Sequence, residues 1–148
     1  MEQRMKILVV AQGKGGNGKT ATSAHSAWFA AEQGVRTLAV DFDTGNLSLS
    51  LSSHAIGMKA SALFGLGEGD AAFDRLAAKQ ATDDGSNLDL IAADKQLQAL
   101  LPFAPQDQVI ANLRDSMESL GPHYDFCVID TPPNLSVAVG AALSIADA

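Results

Sequence analysis

Short apolar runs alternate along this chain with longer segments in which apolar residues recur every three or four positions. The mainly apolar runs cover residues 6–12, 35–42, 88–92 and 124–129. Runs of this length, bounded by glycine or polar residues, predict strands that are buried on both faces, as in a parallel sheet. The helical spacing predicts helices over residues 20–33, 106–120 and 136–146.

The centre of the chain has a weaker pattern. It predicts a loop with some helix over 43–57, a short helix over 59–64, a turn over 65–70, a helix over 71–80 and a turn over 83–87. Asp94 is predicted to cap a further helix over 94–101, which Pro102 and Pro105 interrupt.

The alternation of strands and helices predicts an α/β fold, a doubly wound and mostly parallel sheet with flanking helices. The 148 residues correspond to one domain, and a chain of this size buries roughly 70% of its unfolded surface. Ligands of such sheets bind outside the carboxyl ends of the strands. Polar segments follow the first, second and fourth predicted strands, so the sequence predicts that they meet at one edge of the sheet.

Composition narrows the classes of function. Ten Lys and Arg against 17 Asp and Glu give a net charge of −7, which argues against a basic nucleic-acid-binding surface over the whole chain. The single cysteine excludes a disulfide framework, a four-thiolate zinc site and a self-contained iron–sulfur cluster. Since no apolar stretch is long enough to cross a membrane or resembles a signal peptide, we expect a cytoplasmic protein.

A few conspicuous side chains are predicted to be structural. Cys127 lies within an apolar run and is predicted to be a small core residue. Trp28 is likewise predicted to face the core. The three histidines share no ligand spacing and are interpreted as solvated or structural; they are His25, His54 and His123.

The strongest motif follows the first predicted strand. It fits the pattern G-x-x-x-x-G-K-[ST], and its residues are Gly13, Lys14, Gly15, Gly16, Asn17, Gly18, Lys19 and Thr20. Glycines allow successive N–H groups to point inward around an anion, and the following helix adds its positive dipole end. Lys19 is predicted to reach the β- and γ-phosphates, and Thr20 to ligate Mg²⁺, with Ala21 completing the nucleotide contacts.

The alternative to a phosphate loop is a glycine-rich turn that carries a surface lysine. At average residue usage the longer pattern K-G-G-x-G-K-[ST], which residues 14–20 fit, occurs by chance in roughly one in 10⁴–10⁵ chains of this size. Both the strand before the motif and the helix after it are predicted. Lys14 is an extra cation that an ordinary phosphate loop does not need. It repels Lys19 unless a triphosphate is bound, or it acts in trans on a second nucleotide across a dimer interface.

Acidic residues follow two other predicted strands. Asp41 and Asp43 are two positions apart, so both carboxylates lie on the same face of the strand; the alternative is a strand end with solvated acids. Asp130 ends an apolar strand, an arrangement that holds Mg²⁺ directly or through water in phosphate-loop enzymes. Pro132 and Pro133 then impose an extended exit.

Three motifs together resemble the deviant Walker A motif family of ParA/MinD ATPases, a group of P-loop NTPases. They are K-G-G-N-G-K-T at 14–20, V-D-F-D at 40–43 and D-T-P-P at 130–133, and the resemblance extends over residues 6–148. It implies that Lys14 crosses a nucleotide-sandwich dimer and that Asp43 orients the attacking water. It also implies that Asp41 supports the magnesium shell and Asp130 holds Mg²⁺. Where the family has Pro-Gln-Gly-Asn, this chain has Thr44-Gly45-Asn46.

The resemblance implies an ATPase switch that binds ATP and Mg²⁺, forms a homodimer with ATP and positions a plasmid, a chromosome or other cargo. An activator protein is the implied partner, and DNA is a further one that the charge of this portion does not support. Two alternatives stay open. One is a catalytically weak, regulatory nucleotide-binding module, and the other is a synthetase-like enzyme on the same scaffold.

The chain corresponds to the N-terminal part of the family fold. Residues 1–148 are therefore interpreted as one P-loop nucleotide-binding domain that lacks the later strands. The resemblance implies that those strands cover one edge of the sheet, so we expect a version extended by them to be more stable and more soluble.

Overall fold

The computed structural model describes residues 5–10, 19–43, 46–65, 87–132 and 137–147. These residues contain one parallel sheet with the strand order β1-β5-β2-β4-β3. Its strands are β1 (Lys6–Val10), β2 (Thr37–Asp41), β3 (Ala55–Lys59), β4 (Leu88–Ala92) and β5 (Phe126–Asp130).

Helices connect the strands. They are α1 (Lys19–Glu32), α2 (Asn46–Ser50), α3 (Ala60–Leu63), α4 (Lys95–Leu100), α5 (Gln106–Leu120) and α6 (Val137–Ile145). Short 3₁₀ turns cover Ser52–His54, Leu101–Phe103 and Gly121–His123. Asp94 caps α4 as predicted, because its carboxylate accepts a hydrogen bond from the Leu97 N–H at 3.3 Å.

The core consists of two layers, one on each face of the sheet. Alternate residues of β2 point to opposite faces, so Leu38 and Val40 join one layer while Ala39 joins the other. The first layer also contains residues of α3, α5 and α6, and the second contains residues of α1 and α2. The predicted doubly wound α/β fold is therefore confirmed.

Two side-chain predictions have opposite outcomes. Cys127 is 0% exposed within β5, which confirms it as a core residue. Trp28 is 38% exposed, so the prediction that it faces the core is wrong. Helix α1 buries the small side chains of Ala24, Ala27 and Ala31 instead, and Trp28 lies about 100° around the helix from Ala27. The indole packs edge-on against the His54 ring, with 4.9 Å between the ring centroids.

Two strands differ from the sequence prediction. The predicted loop over 43–57 contains α2 and the start of β3, which pairs with β4 through an irregular register. The predicted burial of the first strand on both faces holds in part. Ile7 and Val9 pack on one core layer and Leu8 and Val10 on the other. Of these residues Ile7 is buried and the others are half-buried, and β1 lies at one edge of the sheet formed by the described residues. The predictions for 66–86 and for Ala11 and Gln12 concern residues outside the described part.

The remaining elements agree with the pattern to within a few residues. Helix α5 has the predicted bounds and buries Val109, Leu113, Met117 and Leu120. Within the described residues, none of the helices has both the length and the apolar character that a membrane span requires.

Candidate functional site

Two buried carboxylates lie side by side at the carboxyl edge of the sheet. Asp41 ends β2 and Asp130 ends β5, and the two residues are register partners in adjacent parallel strands. Both are 0% exposed. Adjacent strands are about 4.8 Å apart, so the two acids lie next to each other at the edge where ligands of doubly wound folds bind.

A hydrogen bond to Asp130 joins helix α1 to this edge. The Ser23 hydroxyl donates a hydrogen bond to Oδ1 of Asp130 at 3.1 Å, and both residues are fully buried. Ser23 lies about one helical turn after Lys19, where α1 begins. The start of α1, which contains the last two residues of the phosphate-loop motif, therefore lies beside the carboxyl end of β5.

The end of β1 is joined to the same edge by Thr131. Its N–H and its hydroxyl both donate to the carbonyl oxygen of Val10, at 3.2 and 2.8 Å. Val10 is the last residue of β1, and the phosphate-loop motif follows it in the sequence. The residue after Asp130 is thereby fixed against the strand that leads into that motif.

Both oxygens of the Asp41 carboxylate accept hydrogen bonds. Oδ1 accepts from the Asp43 N–H at 2.9 Å, and Oδ2 accepts from the N–H and the hydroxyl of Ser48 at 3.0 and 2.7 Å. Burial raises the pKa of Asp41 and the negative charge of Asp130 adds to this, while the hydrogen bonds from Ser48 and Asp43 lower it. Asp43 follows β2 and is 7% exposed, so a third carboxylate lies close to this edge.

The predicted site residues divide into two groups. Asp41, Asp43 and Asp130 are brought together at the carboxyl edge by the pairing of β2 with β5. Residues 13–18, which include Lys14, lie outside the described part of the chain, and of residues 19–21 the structure describes only the backbone at the start of α1. Ser23 and Ser48 were not predicted, because a serine in a helix has no spacing signal that points to a carboxylate.

Sequence comparison connects this arrangement with known proteins. Residues 5–148 match the family described as an AAA domain. Protein IncC of Escherichia coli is 44% identical over 146 residues, which cover 98% of this chain and 39% of that protein. The chromosome partitioning protein ParA of Caulobacter vibrioides is 32% identical over 149 residues, which cover 97% of this chain and 54% of that protein.

The chain belongs to the ParA/MinD family. It spans about half, or less, of the length of these relatives. Solved structures agree with the fold: an ATP complex of Cyanothece McdA has a TM-score of 0.75 at 23% identity over 99% of this chain and 55% of that one. Cobyrinic acid a,c-diamide synthase of Mycobacterium smegmatis, solved with an ATP analogue and magnesium, has a TM-score of 0.70 at 28% identity over 96% of this chain and 57% of that one.

The donor set at the carboxyl edge fits the magnesium that accompanies nucleotides in ParA/MinD proteins. Mg²⁺ prefers hard oxygen ligands and usually takes one or two carboxylates, completing its shell with phosphate oxygens and water. Asp41 and Asp130 supply two buried carboxylates there. Within the ranges that the structure describes, no three or more His, Cys, Asp or Glu side chains form a metal-binding group.

Proposed function

We propose that residues 1–148 form the P-loop nucleotide-binding domain of a Mg·ATP-dependent, dimerising ATPase switch of the ParA/MinD type. The observation that supports this most directly is the buried contact between Ser23 and Asp130, with Asp41 as the neighbour of Asp130 across the strand pair. This contact joins the helix that begins within the phosphate-loop motif to two carboxylates that suit Mg²⁺. Homology to partition proteins supports the same conclusion.

In this proposal the phosphate-loop motif binds the triphosphate. The backbone N–H groups of residues 13–18 surround the phosphates, and Lys19 contacts the β- and γ-phosphates. Thr20, Asp130 and Asp41 hold Mg²⁺ directly or through water. The bound Mg²⁺ would neutralise phosphate charge, as in other phosphate-loop proteins.

The chemical step in the proposal depends on two further residues. Asp43 orients the attacking water and draws away its proton as the water oxygen bonds to the γ-phosphorus. Lys14 reaches the nucleotide of a partner protomer and stabilises the charge that develops on the transferred phosphoryl group. The bond to the ADP oxygen breaks in the same step, so the products are ADP and phosphate.

The proposed cellular role is that of a cytoplasmic switch that positions cargo. Dimerisation with ATP and separation after hydrolysis would give two states with different surfaces, which an activator protein distinguishes. The relatives named for chromosome partitioning support segregation of DNA as the process. A solved complex of MinC with MinD from Aquifex aeolicus shows that a protein of this fold binds a protein partner.

Light scattering of the purified chain tests the proposal. We expect the mass to double with Mg·ATP and to stay monomeric with Mg·ADP, with Asp43→Ala used to slow turnover. Lys14→Ala is expected to bind nucleotide and remain monomeric, and Lys6→Ala serves as a control lysine because Lys6 lies on β1. Nucleotide binding without any change of mass would contradict the dimerising switch.

One observation favours a second candidate function, a catalytically weak regulatory module. The segment after Asp43 reads Thr44-Gly45-Asn46 and is one residue shorter than the family pattern described above. Steady hydrolysis that Asp43→Ala abolishes would exclude this module. Nucleotide binding with no turnover above that of Asp43→Ala would favour it.

A further inference from the structure

Ser48 connects the carboxyl ends of two strands. It is half-buried on α2, and its N–H and hydroxyl both donate to Oδ2 of Asp41, at 3.0 and 2.7 Å. The same Oγ accepts a hydrogen bond from the N–H of Ala93, the residue after β4, at 2.9 Å. One side chain thus joins the end of β2, helix α2 and the exit from β4.

The orientation of the Ser48 hydroxyl is fixed by these partners. A serine hydroxyl has one proton and two acceptor lone pairs. The Ala93 N–H occupies the acceptor side, so the proton is directed to Asp41. Ser48 therefore holds the Asp41 carboxylate in one position relative to β4.

The Asp41 carboxylate also holds the backbone of Asp43. The oxygen that does not face Ser48, Oδ1, accepts the backbone N–H of Asp43 at 2.9 Å. β2 ends at Asp41 and α2 begins at Asn46, so this carboxylate contacts the backbone on both sides of the connection. Its position determines where the backbone of Asp43 lies.

We propose that Ser48 is a positioning residue for hydrolysis: through Asp41, it holds Asp43 where its carboxylate orients the attacking water. The inference rests on the proposed function. It gives Asp41 a second role beside Mg²⁺, since Asp41 is the link between Ser48 and Asp43. Because a displacement of a reacting group by 1 Å can lower a rate about 100-fold, a hydroxyl that bonds to Asp41 and Ala93 matters for the chemical step.

Single-turnover hydrolysis of Mg·ATP tests the rate effect. We expect Ser48→Ala to hydrolyse roughly 10- to 100-fold more slowly, the usual loss when a supporting hydrogen bond at a metal or catalytic site is removed. Its affinity for a fluorescent ADP analogue is expected to change less than about threefold, because Ser48 supports the chemical step and not the phosphate loop. Ser48→Thr keeps the hydroxyl and is expected to restore most of the rate.

A matched control lies on the same helix. Ser50 is exposed on α2, so Ser50→Ala removes a hydroxyl without touching Asp41 and is expected to hydrolyse ATP like the original chain. Wild-type turnover in Ser48→Ala, or equal losses in Ser48→Ala and Ser50→Ala, would overturn the proposal. A Ser48→Ala chain that does not fold would overturn it too, since a positioning residue is dispensable for folding.

Amide hydrogen exchange gives a readout that needs no turnover. In Ser48→Ala the Ala93 N–H loses its acceptor, and the Asp41 carboxylate that accepts from the Asp43 N–H loses the hydroxyl that holds it. We therefore expect both amides to exchange faster, that of Asp43 by at least about tenfold. The Thr37 amide, which donates to Asn87 at 2.7 Å at the other end of β2, reports any general loosening and is expected not to change. Faster exchange at Ala93 alone would show a local structural role and refute the link to Asp43.

The proposed function and the role of Ser48 can be refuted separately. A chain that neither binds nor hydrolyses ATP would contradict the proposed function, while the exchange of Asp43 would still support or refute the role of Ser48. Hydrolysis that depends on Asp43 but not on Ser48 would leave the proposed function intact and overturn this inference.

Discussion

A buried hydrogen bond at the amino end of the sheet makes a measurable contribution to stability. The hydroxyl of Tyr124 donates to Oδ2 of Asp89 at 2.6 Å, and the two residues are 2% and 5% exposed. Tyr124 precedes β5 and Asp89 lies in β4, and β2 lies between these two strands. The bond therefore spans the width of β2 at the end of the sheet opposite to the candidate site. Tyr124→Phe removes the hydroxyl and keeps the ring, so it isolates this bond.

The expected loss follows from the burial of both groups. A hydrogen bond to a charged group contributes about 1.5–3 kcal/mol, and a buried carboxylate that loses a donor also retains its desolvation cost. We expect Tyr124→Phe to lower the free energy of unfolding by about 1.5–3 kcal/mol. For a chain of this size that corresponds to a melting temperature lower by roughly 3–12 °C.

Urea denaturation at pH 7 measures the change, and Asp89→Asn in both backgrounds completes a double-mutant cycle. A coupling energy above about 1 kcal/mol assigns the loss to this pair. A loss below about 0.5 kcal/mol would refute the reasoning. Nucleotide affinity should be unchanged in Tyr124→Phe, because the pair lies away from the carboxyl ends of the strands.

The pH dependence of stability provides a second test of the same pair. Burial, followed by the hydrogen bond and the charge of Asp89, raises the pKa of Tyr124 above its ordinary value. The folded chain therefore keeps this proton where the unfolded chain loses it, and stability falls above about pH 10 by about 1.4 kcal/mol per pH unit. Tyr124→Phe should lack this part of the decline.

Further predictions concern three other sites. Burial raises the pKa of Cys127, so stability should begin to fall above about pH 8.5, and Cys127→Ala should remove that slope in urea titrations across pH. Ser23→Ala, which removes the donor to Asp130, should cost about 1 kcal/mol in the same assay. The side chains of Arg36 and Asp125 are 47% and 42% exposed, so Arg36→Ala should cost less than about 1 kcal/mol, and less still at high salt. The pKa of Asp125 is lowered by Arg36, so this contribution should be lost as the pH falls below about 4.

The sequence predicts most of the fold because its apolar runs match strands with a fully buried pattern. β2 and β4 are buried at every position, and their mainly apolar sequences, TLAVD and LDLIA, indicate such strands. β3 has no such pattern, since A-I-G-M-K contains a glycine and a lysine. Its strand conformation depends on pairing with β4, which is a tertiary property that local sequence does not encode.

The candidate site is predictable to the extent that it depends on strand ends. Asp41 and Asp130 were singled out because each ends an apolar run, and the pairing of β2 with β5 makes them neighbours. The serines that support them were not predictable, because the partner of each is distant in sequence: Ser23 is 107 residues from Asp130. Such contacts follow from the packing of helices on the sheet and have no local signature.

Buried acids have different surroundings at the two ends of the sheet, and this difference indicates which end serves function. At the amino end, Asp89 accepts a hydrogen bond from the hydroxyl of Tyr124, and this bond stabilises the fold. At the carboxyl end Asp41 and Asp130 are both fully buried on adjacent strands, and the charge of Asp130 disfavours ionisation of Asp41. Two like charges in contact destabilise the fold unless a cation joins them. In the proposed function, Mg²⁺ bound with a nucleotide would supply positive charge that offsets the repulsion between these two acids.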